Sequence, residues 1–320
     1  MKRSTLRSMG RAGRAREGGA AIVTALVVVT LAAVVVSGLF YRESVAVRSI
    51  ENRLAISQTR WVERAALDWA KVILRADVTP YDHQSDVWGT PVAETQLDET
   101  VTGGANIGDR ARNAFLAGAV VDAQGKFNVL TLVDGGVPSP PHMEAMQRLM
   151  SMLGLPGSLV SHLVARIQLS QPRPFEGRVV PPLEIPLVPF GDLRDVQGFD
   201  EAVMRALQAH VIVLPDVKTG INVNTATAEV IAAAADISLS AARGFVSQRE
   251  HRPVNSLSDF STLVGVDSAG NSPLLSVNTR FFLVNGVIRY DRVESQTETL
   301  IRRDSIGTRG AVQVVWQHRN

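Results

Sequence analysis

Residue types that could carry out catalysis are present in the chain, but they are not arranged for it. The sequence contains no G-x-S-x-G nucleophile turn, no H-E-x-x-H zinc motif and no glycine-rich phosphate-binding loop. Histidine is the most common general acid–base residue, yet none here lies at helical spacing from another or beside an obvious nucleophile. The histidines are His83, His142, His162, His210, His251 and His318. The sequence therefore predicts a protein that is not an enzyme.

Potential metal ligands are no better organised. The chain has no cysteine, which excludes disulfides, iron–sulfur clusters and thiolate zinc sites. Calcium requires about six to eight oxygen ligands, several of them carboxylates. One acidic cluster lacks the tight spacing of a known calcium loop; it consists of Asp82, Asp86, Glu94, Asp98 and Glu99. We therefore predict neither a metal nor another cofactor.

Positive charge is concentrated at the N-terminus. The formal net charge is +2, but residues 1–19 hold six Lys and Arg residues against the single acid Glu17, a local charge of +5 that leaves −3 for the rest. A nucleic-acid-binding protein needs a basic patch on its folded part. The charge distribution therefore indicates a basic leader and gives little support to a nucleic-acid surface.

An uncharged apolar stretch follows the leader and runs from Ala20 to Phe40. At about 1.5 Å per residue, a helix of this length spans a hydrocarbon core of roughly 30 Å. The basic leader should remain in the cytoplasm, which puts the C-terminal bulk of the chain outside. A cleaved secretory signal fits less well, because the apolar run is full length and no small-x-small cleavage site follows it.

The same helix is predicted to continue beyond the membrane. No Pro or Gly occurs between Leu39 and Asp77, and apolar residues recur there at helical spacing. The predicted helix has about 55 residues and is about 80 Å long. Its first half is apolar all round, whereas its second half is amphipathic and should pack on a domain. Trp61 and Trp69 in that second half are expected to be core residues.

Two glycines, Gly18 and Gly19, mark the boundary between the basic leader and the apolar run. This order of segments resembles that of type IV prepilins, in which a membrane peptidase cuts after a Gly at the boundary. The resemblance implies cleavage between Gly19 and Ala20. The alternative is that the glycines are only a flexible entry to an ordinary membrane anchor.

Pilin-like subunits typically carry Glu at the fifth residue of the mature chain. Burying the new terminal ammonium group among helices costs several kcal/mol unless a carboxylate pairs with it. Counted from Ala20, the fifth residue is Thr24, and neighbouring registers give Ala25 or Val23. The chain is therefore a poor repeating unit, but it could occupy a unique end position. In this departure it resembles the K-type minor pseudopilins of the type II secretion system (general secretion pathway protein K), which lack the acid and have an oversized globular part.

Short-range patterns predict the first elements of the outer part. Residues 76–113 are polar and Gly-rich, which indicates a long irregular connection. Apolar runs at 119–121 and 127–130 flank a Gly-containing turn and indicate a β-hairpin. From 142 to 167, helical spacing broken by Leu155-Pro156-Gly157-Ser158 predicts two helices.

A short repeat occurs within residues 189–270. Residues 192–198 and 259–265 share the pattern D-φ-x-x-φ-x-G, where φ is apolar. In each copy the Asp can cap a short helix and the Gly can end it. The C-terminal part instead alternates in the manner of strands, at 280–288 and in two further runs that cover 290–300 and 310–317.

Between the two repeats the sequence resembles a helix-hairpin-helix module, and also the helical domain inserted in K-type pseudopilins. Thr225 is the expected N-cap of a helix over 228–235, and a second helix is predicted over 240–249. Helix-hairpin-helix modules bind phosphates through the backbone of a glycine-rich hairpin. Residues 235–239 contain no Gly, and Asp236 would repel a phosphate. The alternative function, a membrane-anchored DNA-binding protein of the competence type, is therefore disfavoured, and no nucleic-acid partner is expected.

The predicted fold class is α+β. A pilin-like long N-terminal helix packs on an antiparallel sheet, and a large all-helical domain with helix-hairpin-helix-like units is inserted into that body. The predicted segments are a cytoplasmic prepilin leader (1–19), the transmembrane half of the helix (20–40), its periplasmic half (41–75), a pilin-like body (76–141 and 271–320) and the inserted helical domain (142–270).

The family resemblance implies a minor pseudopilin at the tip of the type II secretion pseudopilus, which initiates or caps its assembly for protein export across the outer membrane. The implied location is the inner membrane, in a single pass with the N-terminus cytoplasmic and the C-terminal domain periplasmic. Implied partners are other minor pseudopilins, the major pseudopilin, the prepilin peptidase and inner-membrane lipid. Helix packing is expected through Val27, Leu31, Val34 and Val35. Family members can hold calcium in acidic loops, but residues 168–173, where relatives tend to be Asp-rich, contain no acid.

Overall fold

The structure is a computed structural model that describes residues 14–96, 114–175, 177–290, 293–304 and 311–319. The chain divides into two compact units, residues 1–58 and residues 59–320. Most of the predicted leader, residues 1–13, lies outside the described residues, as do Asp98 and Glu99 of the acidic cluster.

One helix, α1 (Arg14–Ala76), runs for 63 residues and passes through Gly18 and Gly19 without a break. Its hydroxyl side chains do not interrupt it, because they donate to carbonyls of their own preceding turn; Thr24 donates to Ala20 and Thr30 to Leu26. By length and composition, α1 is long and apolar enough to cross a membrane. The predicted continuation of the helix beyond the apolar stretch is confirmed.

A five-stranded antiparallel sheet forms the body of the second unit, with strand order β1-β2-β11-β12-β13. Its strands are β1 (Val92–Gln96), β2 (Ala114–Asp122), β11 (Phe281–Tyr290), β12 (Val293–Arg303) and β13 (Val312–Arg319). The three C-terminal strands predicted from alternation are confirmed. The region predicted to be irregular contains β1 and a 3-10 turn at Val87–Gly89. That prediction was wrong over these residues because Trp88, in that turn, packs against Phe282 at 5.1 Å between ring centroids.

The last turns of α1 pack on one face of the sheet. Ala70 and Leu74 are buried there with Trp88 and Phe282, in a cluster that also includes Val120, Ile301 and Val312. A small residue such as Ala70 allows the helix to approach the strands closely, and burial of each large side chain contributes about 1.5–3 kcal/mol. The predicted packing of the amphipathic half of α1 on the sheet is confirmed.

The connection between β2 and β11 has six α-helices and several short strands among its described residues, and it contains the largest apolar cluster in the described part of the chain. Its helices are α2 (Pro140–Met152), α3 (Ser158–Leu169), α4 (Glu201–Leu207), α5 (Ala228–Ala235), α6 (Leu239–Arg249) and α7 (Leu257–Val264). Its strands have two or three residues each: β3 (Phe127–Asn128), β4 (Val133–Asp134), β5 (Val137–Pro138), β6 (Arg173–Phe175), β7 (Arg178–Val180), β8 (Val211–Ile212), β9 (Ile221–Asn222) and β10 (Leu275–Ser276). The helices predicted around residues 155–158, 228–235 and 240–249 are confirmed.

Several local predictions in this region were wrong. The 119–130 hairpin does not form, because β3 pairs in parallel with β8 instead of with β2. Thr227, not Thr225, caps α5, accepting a hydrogen bond from the N–H of Val230.

In the two repeat copies the Asp does not cap a helix. The carboxylate of Asp192 accepts from the N–H of Val188, and Ser256 caps α7. Gly265 does end α7, at φ 73°, a left-handed conformation that favours glycine.

Candidate assembly site

The residues predicted to lie at the prepilin cleavage point are part of α1. Gly19 and Ala20 are both exposed, and a side chain added at Gly19 would meet nothing within 4 Å. Gly18 and Gly19 both lie within the helix. Cleavage between Gly19 and Ala20 stays a prediction.

Thr24 is the predicted counterpart of the Glu that a repeating pilin subunit carries. Its hydroxyl donates to the carbonyl of Ala20 at 2.6 Å and lies 3.1 Å from that of Ala21. Both contacts are within its own helix, and the hydroxyl carries no negative charge with which to neutralise an ammonium group. The four predicted helix-packing residues Val27, Leu31, Val34 and Val35 are all exposed. Their spacing places them on one face of α1.

The outward face of α1 in the second unit is also apolar. Trp61 is 69% exposed and Trp69 is 53% exposed, so the prediction that they are core residues was wrong. Helical spacing correctly identified an apolar stripe on α1. However, α1 carries two apolar stripes, and the sheet covers the one that contains Ala70 and Leu74. Exposed indoles two turns apart are unusual on a surface facing only water. They are typical of protein interfaces, where Trp is among the most enriched residues.

A buried ion network joins the end of α1 to the end of β12. Arg303 is 1% exposed; its guanidinium binds Asp77 at 3.0 Å and Asp82 at 2.5 Å, and donates to the carbonyl of Thr279 at 3.1 Å. The N–H of Thr279 donates to the other carboxylate oxygen of Asp82 at 2.8 Å. Arg303 also stacks over Phe282, 4.9 Å from the ring centroid. The network therefore fixes α1 to the C-terminal half of the sheet.

Burial and charge act on the two carboxylates differently. Burial raises the pKa of Asp82 to about 7, although the Arg303 charge and the Thr279 hydrogen bond oppose it. Burial also acts to raise the pKa of Asp77, but hydrogen bonds from Thr79 and Arg303 outweigh it and hold that pKa below its usual range.

Carboxylate oxygens of Asp77, Asp82 and Asp86 lie within 4.8 Å of one another, which is close enough to share a cation. The residues do not fit a dedicated calcium site, because the Arg303 guanidinium already neutralises two of the three and Asp86 accepts from the N–H of His83. Glu94 forms an ion pair with Arg289. The residues at 168–173 are also engaged internally; for example, the Gln168 amide donates to the carbonyl of Gly136.

A second buried network explains the Asn-Val-Asn-Thr run. Asn222 donates to the Asp82 carbonyl at 3.0 Å and to the Asp122 carboxylate at 2.7 Å, while Thr225 donates to the same carboxylate at 2.6 Å. Burial raises the pKa of Asp122. Asn224 is bonded twice to Val254, through its amide group and its carbonyl oxygen. The run therefore ties the helical region to the rim of the sheet and was not recognisable as such from local pattern.

The hairpin between α5 and α6 is not built to bind phosphate. Asp236 has φ 54°, and its N–H and that of Ile237 both donate to the Ala232 carbonyl. Arg148 approaches from α2, donates to the carbonyl of Ala233 and lies 3.5 Å from the Asp236 carboxylate. The amides that would face a phosphate are thus used within the fold, and an acidic side chain stands beside them.

A long N-terminal helix that is apolar at its start, packs on an antiparallel sheet through its last turns and exposes an apolar face is the architecture of a pilin-like assembly subunit. Two family models, both described as type II secretion system (T2SS) protein K, match residues 125–216 and 221–278. The chain is 27% identical to type II secretion system protein K of Pseudomonas aeruginosa over 94% of this chain and 92% of that protein. It is 32% identical to the Dickeya chrysanthemi protein of the same name over 35% of this chain and 34% of that protein.

A solved structure has the same fold. It is a chain in the crystal structure of the GspK–GspI–GspJ complex of the type 2 secretion system from enterotoxigenic Escherichia coli, with a TM-score of 0.62 and 20% identity. The match covers 84% of this chain and 98% of that one. The chain belongs to the type II secretion system protein K family. The family is a structural component of a secretion system.

Proposed function

We propose that this chain is the minor pseudopilin that initiates or caps the pseudopilus of a type II secretion system, which exports proteins across the outer membrane. The observation that carries the proposal is Thr24. Its hydroxyl is bonded within its own turn of α1, at the position where a shaft subunit needs a carboxylate for its neighbour's ammonium group. A subunit that cannot neutralise that charge is disfavoured wherever another subunit must follow.

Processing and location follow from the same proposal. The prepilin peptidase removes residues 1–19 and leaves Ala20 as the N-terminus. The apolar half of α1 stays in the inner membrane, with the N-terminus cytoplasmic and the C-terminal unit periplasmic. Residues 142–270 form the inserted domain, whose bulk blocks addition of a further subunit to the body formed by residues 76–141 and 271–320.

The partners we propose are other minor pseudopilins and, through them, the major pseudopilin. The solved relative is a chain in a complex with GspI and GspJ. In this chain the exposed face formed by Val27, Leu31, Val34 and Val35 packs against partner helices within the membrane. Trp61 and Trp69 then provide the corresponding contacts outside it. Because truncation of a buried interface Trp commonly costs about 2 kcal/mol or more, these two residues should dominate the affinity.

N-terminal sequencing of the membrane-extracted protein tests the proposal directly. In cells that contain the prepilin peptidase the mature chain should start at Ala20, and in cells without the peptidase it should start at Met1. Immunogold labelling of the filament should then mark one end. A chain that starts at Met1 in both strains, one cut after Ser37 or Gly38, or labels repeated along the shaft would each contradict the proposal.

A further inference from the structure

A cleft of about 570 Å³ opens between the helical region and the face of the sheet that α1 does not cover. The residues that line it include Trp316 and His318 of β13, Met204 and Arg205 of α4, and Phe190. Sites that hold small ligands or peptide side chains commonly have volumes of about 300–1,000 Å³. The cleft is therefore large enough to receive a ligand.

The register of β13 determines which of its side chains face the cleft. An irregularity between Leu300 and Ile301 of β12 shifts the pairing, so that Trp316 lies opposite Leu300 and His318 opposite Glu298. Leu300 belongs to the small apolar cluster on this face of the sheet, and Trp316 packs against that cluster. The indole thus provides an apolar floor next to a polar rim.

Among the charged side chains that line the cleft, one cationic side chain has no acidic partner in the described part of the chain. Arg194 lies 3.3 Å from Glu201, and Lys126 donates to the Gln208 carbonyl and faces Glu298. Arg205 is exposed and has no ion pair among the described residues. The cleft therefore presents an unopposed guanidinium beside an aromatic floor, a combination that favours an anionic ligand with an apolar part.

The main chain of β13 supplies the third feature. Within the described residues β13 is the last strand of the sheet and pairs only with β12. Such an edge can accept an extended peptide as an additional strand, with affinity from main-chain hydrogen bonds and specificity from alternate side chains. Here alternate side chains of an added strand would lie toward the cleft.

We propose that this cleft binds an extended acidic peptide segment of another protein. The segment adds to β13, places an apolar side chain against Trp316 and sets a carboxylate on Arg205. This inference does not depend on the position of the chain in a filament, because it concerns a surface formed within the second unit of the chain.

Binding of short peptides to the full chain in detergent micelles tests the inference. The probe is a fluorescent, terminally blocked peptide, roughly six residues long like a typical strand. Its alternate positions carry Val, Glu and Val and its other positions carry Ser, so that the apolar and acidic side chains lie on the same face of the strand. Its partner probe has Lys in place of Glu. Anisotropy should show binding of the Glu peptide at least about tenfold tighter than the Lys peptide, because a charge-assisted hydrogen bond contributes about 1.5–3 kcal/mol.

Arg205→Glu should weaken the Glu peptide at least about tenfold and remove the preference for it. Arg252→Glu, which reverses an exposed arginine beyond α6, is the matched control and should leave the affinity within about twofold. Amide hydrogen exchange should slow in β13 when the Glu peptide is bound. Equal affinity for the two peptides, no binding of either, or unchanged exchange in β13 would overturn the proposal.

Discussion

Replacement of Arg303 by Met is the sharpest test of how the body of this protein is held together. Met has a similar length and no charge, so Arg303→Met removes the guanidinium without opening a large cavity. Among the described residues, it leaves the fully buried carboxylate of Asp82 with only the Thr279 N–H as a hydrogen-bond donor. It also removes the Arg303 donor to the Thr279 carbonyl. Breaking a buried pair by removing one partner costs about 3–5 kcal/mol, because the remaining charge is uncompensated.

The loss should depend on pH in a defined direction. Since burial already raises the pKa of Asp82 to about 7, its contribution to stability is fully present below its ordinary pKa near 3.8 and is lost as pH rises through about 7. Arg303 lowers the pKa of both Asp77 and Asp82. Without it the folded variant binds more protons than the wild type, so its free energy of unfolding falls more steeply with pH. The difference between the two proteins should therefore be largest near pH 8 and smaller near pH 5.

Urea unfolding of the full chain in detergent micelles measures the loss of stability and its dependence on pH, with the fluorescence of buried Trp88 contributing to the signal. Arg302→Met is the matched control: Arg302 precedes Arg303 on β12, but its ion pair with Asp304 is well exposed, so the expected loss is within about 1 kcal/mol. Asp82→Asn in the Arg303→Met background should recover part of the stability. A loss below about 1 kcal/mol for Arg303→Met, or the same loss at both pH values, would refute the reasoning.

A double substitution tests the partner surface, and a single substitution tests the helical core. Trp61→Ala combined with Trp69→Ala should weaken co-purification with the other minor pseudopilins at least about tenfold without lowering thermal stability. The control Val179→Ala, at a similarly exposed site, should leave co-purification unchanged. An equal loss of co-purification in the double variant and the control would rule out Trp61 and Trp69 as partner contacts. Phe260→Ala should lower the free energy of unfolding in urea by about 3–5 kcal/mol, because Phe260 is fully buried and its ring lies 4.8 Å from that of Phe245. The control Leu263→Ala, on the exposed side of α7, should lower it by about 0.5 kcal/mol or less. Similar losses for the two variants would contradict the packing.

Elements governed by neighbouring residues could be predicted from the sequence. The uninterrupted α1, the break between α2 and α3 at Pro156-Gly157 and the bounds of α5 all depend on interactions within a few residues. The β-hairpin at 119–130 was predicted by the same local reasoning and was wrong. Its second strand pairs with residues more than eighty positions away, at Val211–Ile212, and no local pattern encodes that pairing.

The faces of α1 show a second limit of prediction from the sequence. Its apolar residues recur at helical spacing on two stripes, and periodicity alone cannot say which of them a sheet covers. The choice depends on size, because Ala70 lets the helix approach β11 and β2, whereas an indole at that point would hold it away. Sequence reasoning placed Trp61 and Trp69 inside because they recur at helical spacing with other apolar residues, and the structure leaves them exposed.

The residues of the candidate site also differ in whether the sequence alone could identify them. Thr24 could be singled out from the sequence alone, since its position is a count from the predicted cleavage point. Arg303 could not, because it is 221 residues from Asp82 and is one of many arginines in the chain. The structure makes Asp82 the residue at which the two buried networks meet. Its carboxylate binds Arg303 of β12, and its carbonyl accepts from Asn222 of β9.

The two buried networks that meet at Asp82 bear on how the helical region is oriented on the pilin-like body. The apolar cluster on the second face of the sheet is small, with Ala123, Ile212 and Leu214 meeting three residues of the strands. Hydrophobic contact is not directional, so a cluster of this size does little to fix the angle between the sheet and the helices. Hydrogen bonds from Asn222 and Thr225 to one buried carboxylate are directional. We therefore expect the orientation of the helical region to depend on Asp122 more than on the apolar contacts around it.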